Sequence, residues 1–245
     1  MSSTRLIVSL TLCLAAVPRT QAADEAPAVP ARACTVPIVS GAGVVAVDGR
    51  LDEPAWARAG VETNFSLPWE PTAPQRTEFR IVRDGVNLYF AFTVTDETPI
   101  IAAAYAGERT LDDEDRVELF FCRDAQTNNY YCIEIDLKGR VHDYASTFSR
   151  RQFDSAWTCE GLKTSAQAAG ATYTIEASIP LRILADLGIP VPGSGAPIVA
   201  GLFRADLYRD GEGKIVPHWI AWVDPKVPRP NFHTRSAFGR FVGGK

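Results

Sequence analysis

The chain is poor in the residues that most enzyme chemistry needs. Its three histidines, His142, His218 and His233, are scattered along 245 residues. No His-Glu-x-x-His segment occurs, which excludes the helical zinc-protease motif. No Gly-x-Ser-x-Gly turn presents a serine nucleophile, and no glycine-rich loop is built to cradle phosphate. The five cysteines form no Cys-x-x-Cys pair, so zinc-ribbon spacing is absent. The only methionine is Met1. Beyond the first twenty residues no apolar run is long enough to cross hydrocarbon ~30 Å thick. Helical periodicity is nearly absent, which argues against a helix bundle and against alternating strands and helices.

What is present begins with an export pattern. Arg5 supplies a positive start, Leu6 to Val17 an apolar stretch, Pro18 a break, and Ala22 and Ala23 small residues for cleavage. A signal peptide over residues 1–22 is therefore expected, with a secreted or periplasmic mature protein. Leu12 before Cys13 argues against lipidation there. Losing Arg5 and Arg19 leaves 23 basic against 29 acidic side chains, a net charge of about −6. Such a balance suits neither nucleic acid nor an anionic membrane, and it leaves neutral ligands unaffected. Four cysteines remain after cleavage. In an oxidising compartment an even number suggests disulfides, with three pairings open. Cys122 and Cys132 end and begin neighbouring strands, so a bridge between them is expected if the register allows, with Cys34–Cys159 as the remainder.

Residues 23–43 read as a disordered leader and the lead-in to a first strand, rich in Ala and Pro. Val44–Val47 reads as a short strand ending in the Asp48-Gly49 turn. The segment from Asp52 to Ala59 reads as one helical turn capped by Asp52, with Trp56 plugging one end of a core. Strand alternation then recurs at Thr77–Arg83, Asn87–Asp96, Arg116–Cys122, Tyr130–Leu137, Val141–Tyr144, Thr172–Ile179, Val199–Tyr208, Trp219–Val223 and Arg240–Val242. Only Arg182–Leu187 adds a short helical turn. Many short strands with turns between them predict an all-β chain, a single antiparallel β-sandwich of immunoglobulin or jelly-roll type with few short helical turns. No linker or internal repeat divides residues 44–243.

Alternation places Val117, Leu119 and Phe121 on one face of their strand and Glu118 and Phe120 on the other. Glu118 is thus a lone carboxylate in an apolar strand, behind the acidic run Asp112 to Asp115. It reads equally as a structural ion-pair partner or as an acceptor for sugar hydroxyls, since charged acceptors make the stronger hydrogen bonds. Trp219 and Trp222, three apart, point to opposite faces, one to the core and one near the surface. His233 reads first as a structural hydrogen-bonding group.

Three segments in fixed order carry a resemblance. They are Asp48-Gly49-Arg50-Leu51-Asp52-Glu53-Pro54-Ala55-Trp56, then Asp113-Glu114-Asp115-Arg116-Val117-Glu118-Leu119-Phe120-Phe121, and last Trp219-Ile220-Ala221-Trp222-Val223-Asp224-Pro225 with Phe232 to Gly239. Together they resemble the family 9 carbohydrate-binding modules, related to the DOMON sandwiches, from Val44 to Val242. The resemblance implies non-catalytic sugar binding. The family carboxylate falls on Glu118 and the C-terminal aromatic on Phe232, with Asn231 and Arg229 as nearby polar contacts. The family's first aromatic falls on Asp112 and its basic position on Glu134, so Tyr105, Trp69 and Trp157 are the candidates for the missing ring. The expected site is a shallow groove, open to water, with Glu118 and Phe232 at its rim. The implied partners are a carbohydrate ligand and a glycoside hydrolase. No cofactor is required, although the resemblance admits structural calcium, for which Asp96, Asp112, Asp113 and Asp115 offer hard oxygen ligands. Two other readings stand beside it. One is a haem-b electron-transfer domain of the related cytochrome type, ligated by histidines. The other is a hydrolytic role with Glu118 as catalytic acid.

Overall fold

The computed structural model describes residues 32–244 apart from 42 and 103. The expected signal peptide and most of the leader lie outside the described residues. Among the described residues thirteen strands form two sheets. In chain order they are β1 (Ala33–Val36), β2 (Gly60–Glu62), β3 (Thr77–Arg83), β4 (Asn87–Thr95), β5 (Arg116–Cys122), β6 (Asn129–Asp136) and β7 (Val141–Thr147). Then follow β8 (Phe153–Asp154), β9 (Lys163–Ala169), β10 (Thr172–Pro180), β11 (Ile198–Arg209), β12 (Ile215–Ala221) and β13 (Gly239–Gly243). The smaller sheet runs β2-β3-β4-β10-β9. The larger runs β1-β13-β11-β5-β6-β7-β8, with β12 also paired to β11. Every named pairing is antiparallel except β1 with β13. One short helix, α1 (Leu181–Asp186), follows β10. No helix among the described residues is long and apolar enough to cross a membrane.

Period-two patterning builds this sandwich. Leu88, Phe90, Phe92 and Val94 of β4 face Val117, Leu119 and Phe121 of β5 across the inter-sheet core. The larger sheet is covered on its outer face as well. A second apolar cluster there joins Phe120, Tyr130, Tyr144 and Phe203 to Phe232 and Phe238 from the chain that follows β12. All seven residues of β5 are consequently buried.

Several expectations are corrected. Val44–Val47 forms no strand; Val45 packs instead beside the buried Trp56. The turn after it is a 3-10 turn at Trp56–Arg58 whose N-cap is Ala55, not Asp52. Trp56 is held by its indole N–H donating to Glu176 Oε1 at 3.0 Å. The leader already contains β1, which joins the larger sheet through Cys34 opposite Phe241. The four cysteines are free, buried thiols. The register explains this for the hairpin pair: Cys132 lies opposite Phe120, while Cys122 is two residues further along and faces Val199 of β11. Diagonal neighbours of that kind sit about 7–8 Å apart, beyond disulfide reach. Cys34 and Cys159 both pack in the inter-sheet core, and burial pushes each thiol up to about 12.

Candidate functional site

The outer face of the larger sheet carries one row of directly opposed residues: Phe203 on β11, Glu118 on β5, Glu134 on β6 and His142 on β7. Two carboxylates side by side on a buried face repel one another. Arg116, two residues from Glu118 on the same face, resolves the conflict. Its Nε lies 3.0 Å from Glu118 Oε1 and 2.9 Å from Glu134 Oε2. The same guanidinium donates to the carbonyls of Leu111, Asp112 and Glu114, which fixes the 3-10 turn at Glu108–Asp113 over the sheet. The Tyr144 hydroxyl donates to Glu134 Oε1 at 2.8 Å. Burial, and then the Glu134 charge, push the Glu118 carboxyl above the usual carboxylate range against the pull of Arg116.

Above this row lies a cavity of about 380 Å³, within the ~300–1,000 Å³ common for small-ligand sites. Arg116, Glu118, Glu134 and Tyr144 form its floor, and Asp112, Arg150, Trp219, Asn231, Phe232 and His233 complete the wall. Five of the six sequence candidates therefore meet: Glu118, Glu134, Asp112, Asn231 and Phe232. The sixth, Arg229, is exposed and does not line it. The expected place of Glu118 and Phe232 at the rim is also corrected. Glu118 is 2% and Phe232 6% exposed, so both lie inside the cavity and not at its rim.

The aromatic walls differ from the expected pair. One face of Phe232 lies flat on Phe203, with centroids 4.2 Å apart at 14°. Trp219 stands perpendicular to Phe232 at 5.6 Å and is the half-buried second ring of the cavity, while Trp222 is in the core. None of the three rings suggested by sequence lines the cavity. Tyr105 is exposed under the Arg140 guanidinium. Trp157 packs on Tyr131, and Trp69 sits behind Phe232. Trp69 does line a neighbouring groove, which shares Trp219 and Pro230 with the cavity. Alternation put Trp219 and Trp222 on opposite faces without saying which is core, and it could not say that Phe232 would fold back beside Trp219.

Arg150 was not visible as a site residue. It sits at the cavity wall on two successive left-handed residues, Ser149 at φ 65° and Arg150 at φ 51°. Non-glycine residues rarely adopt that region, and such strain gathers at functional sites. Here the Ser149 amide donating to the His233 carbonyl at 2.8 Å holds it.

The histidines are dispersed. His218 Nδ1 pairs with Glu70 at 2.7 Å, and His233 Nδ1 lies 2.8 Å from the Tyr130 hydroxyl. Among the described residues no candidate ligand cluster holds two histidines. The acids suggested for calcium also fail to form one set. Asp113 is exposed and Asp112 belongs to the cavity, whereas Asp96 and Asp115 meet Asp206. In that second cluster the Arg204 guanidinium already supplies a counter-charge, 2.8 Å from Asp206 and 3.4 Å from Asp96. Burial, with the Asp96 and Asp206 charges, pushes Asp115 up to about 7. Asp96 and Asp115 thus share a cluster with Asp206, apart from Asp112 and Asp113.

Comparison with known proteins agrees with the fold and the segment order. The model of the carbohydrate family 9 binding domain-like family matches residues 47–242, and the chain belongs to that family. Among solved structures it is similar to a candidate carbohydrate-binding protein from Bacteroides uniformis, with a TM-score of 0.67 at 17% identity, covering 87% of this chain and 99% of that one. It is also similar to a family 9 carbohydrate-binding module from Caldicellulosiruptor kristjanssonii in complex with cellotriose, with a TM-score of 0.59 at 17% identity, covering 86% and 93%. A further structure of a family 9 module from that organism, in complex with glucose, aligns with a TM-score of 0.55 at 18% identity over 86% and 95%. No curated protein matches the chain.

Proposed function

We propose that the protein binds carbohydrate non-catalytically in the cavity over β5 and β6, as an exported module serving polysaccharide or oligosaccharide recognition. One observation carries the reading: a single half-open cavity joins two aromatic walls, Trp219 and Phe232, to the polar groups Glu118, Arg116, Asn231 and Arg150. Sugar rings offer apolar C–H faces for the first and hydroxyls for the second. Charged groups held in place by one another give hydrogen bonds of fixed direction, which suits a neutral ligand dense in hydroxyls. The adjoining groove along Trp69, Pro71 and Val227 gives a second sugar unit a place beyond the cavity, which supports an oligosaccharide. Export rests on the N-terminal pattern, and a glycoside hydrolase is the natural partner for a module of this kind.

A glycan array, followed by calorimetry on the best ligand, tests the proposal. Binding with a dissociation constant between millimolar and micromolar, ~4–8 kcal/mol, is expected. Trp219→Ala should weaken it by about tenfold or more, as loss of a central aromatic contact does elsewhere. Glu118→Gln should weaken it without altering any hydrolysis. Binding to no glycan overturns the reading; turnover of a glycan that Glu118→Gln abolishes would replace it with catalysis.

A further inference from the structure

The row of residues across the cavity floor ends in a group with ligand atoms to spare. Asp112, Glu134 and His142 each bring one donor atom, and the three lie within 4.8 Å of one another. His142 Nδ1 is 3.4 Å from Asp112 Oδ1 and 3.8 Å from Glu134 Oε2. His142 is 3% exposed, and neither its Nδ1 nor Glu134 Oε2 makes an aligned hydrogen bond. Buried polar atoms are seldom left in that state.

The other oxygen of each carboxylate is occupied. Arg109 donates to Asp112 Oδ2 at 2.6 Å, and Tyr144 donates to Glu134 Oε1 at 2.8 Å. Oδ1 and Oε2 are thereby turned toward the imidazole nitrogen, as outer partners orient metal ligands. Donors bound at about 2.0–2.1 Å around a tetrahedral ion stand ~3.3 Å apart, so the two separations from His142 need to close by about half an ångström or less, and the two carboxylate oxygens, within 4.8 Å of each other, need to draw together around the ion. Arg116 Nε stands 2.9 Å from the same Glu134 Oε2 but is shared with Glu118, so a bound ion would share that oxygen with the guanidinium.

We propose that Asp112, Glu134 and His142 form a site for a divalent transition-metal ion of the zinc class. One nitrogen and two oxygen donors suit zinc and its neighbours, whereas calcium prefers oxygen alone. Asp112 and Glu134 also line the cavity, so the ion's open position faces it. On the carbohydrate reading above, a sugar hydroxyl takes that position.

The tag-free protein, stripped with chelator and dialysed, is titrated with zinc chloride by calorimetry, and bound zinc is counted by elemental analysis. One zinc per chain is expected, with affinity reduced at least tenfold in Asp112→Asn and in His142→Gln. Asp112 is the more exposed ligand, so its variant guards against loss of fold, which thermal melting checks. Binding below one-tenth zinc per chain overturns the proposal, as does wild-type affinity in both folded variants. The rival arrangement is a proton: an imidazolium bridging the two carboxylates, seen as a doubly protonated His142 ring by nitrogen NMR at pH 7 that zinc does not perturb. No sugar enters this titration, so the metal site and the carbohydrate reading fail separately.

Discussion

At the scale of single residues, the site depends on a charge arithmetic that spacing along the chain reveals only in part. Alternation placed Glu118 on the outer face of its strand, and it would have placed Arg116 there too. What it could not supply was the register that sets Glu134 directly opposite Glu118 and so demands a cation between them. For the same reason Glu134, at a position where the resemblance implies a basic residue, is held as an acid here by the Arg116 guanidinium it shares with Glu118. Arg229 failed because nearness in sequence to Phe232 does not decide which side chains turn inward. Removing Arg116 should expose the arithmetic. Arg116→Met leaves two buried carboxylates facing each other without compensation, a change that typically costs 3–5 kcal/mol, about that much here. Urea unfolding at pH 7 measures it. Adding Glu134→Gln should recover part of the loss, and a double variant no better than the single one would show that Arg116 acts mainly by anchoring the 3-10 turn.

At the scale of elements, the strands that bury a clean face were legible and those that do not were missed. The expected bounds of β3 and β5 coincide with the observed ones, because each puts an apolar row, Phe79 and Ile81 in β3 and Val117, Leu119 and Phe121 in β5, against the inter-sheet core. β9, Lys163–Ala169, carries no large apolar residue, lies largely exposed at a sheet edge, and shows no period-two signal. The apolar run Val44–Val47 misled in the opposite sense: it packs as loop around Trp56. The covering of the larger sheet by the chain after β12 left no local signal at all, since it depends on contacts distant in sequence. Gly201 on β11 is one place where that cover constrains a strand. A Cβ there would stand 2.5 Å from Phe203 Cζ, and Phe203 is the ring on which Phe232 lies. Gly201→Ala should therefore cost about 1–3 kcal/mol through overpacking and, by displacing Phe203, weaken glycan binding several-fold. Calorimetry beside thermal melting separates the two effects. Unchanged affinity in a destabilised variant would mean that the stack on Phe203 does not set the position of Phe232.

At the scale of the whole molecule, the cover over the outer sheet face should be readable in the pH dependence of stability. His233 is packed under it, stacked on Phe120 at 5.3 Å and bonded to Tyr130. Burial, then the charges of Arg150 and Arg116, push its pKa from an ordinary 6.5 down to about 3. In the unfolded chain the ring regains its ordinary value. Below pH 6.5 the unfolded state therefore takes up a proton that the folded state refuses, and stability falls with acidification until about pH 3. Asp115 works in the opposite direction. Its folded pKa near 7 lies above an ordinary 3.8, so acidification through that window favours the folded state and masks part of the loss. Comparison of the wild type with His233→Gln removes the masking, because Asp115 is common to both. Between pH 7 and pH 5 the wild type should lose about 2 kcal/mol more than the variant, at ~1.4 kcal/mol for each pH unit below the unfolded value. Urea titrations at the two pH values give the difference directly. Parallel losses in the two proteins would mean that His233 accepts its proton while folded. The segment from Pro230 to Phe238 would then be open to water, and the cavity would lose the rigid wall on which its recognition of a ligand depends.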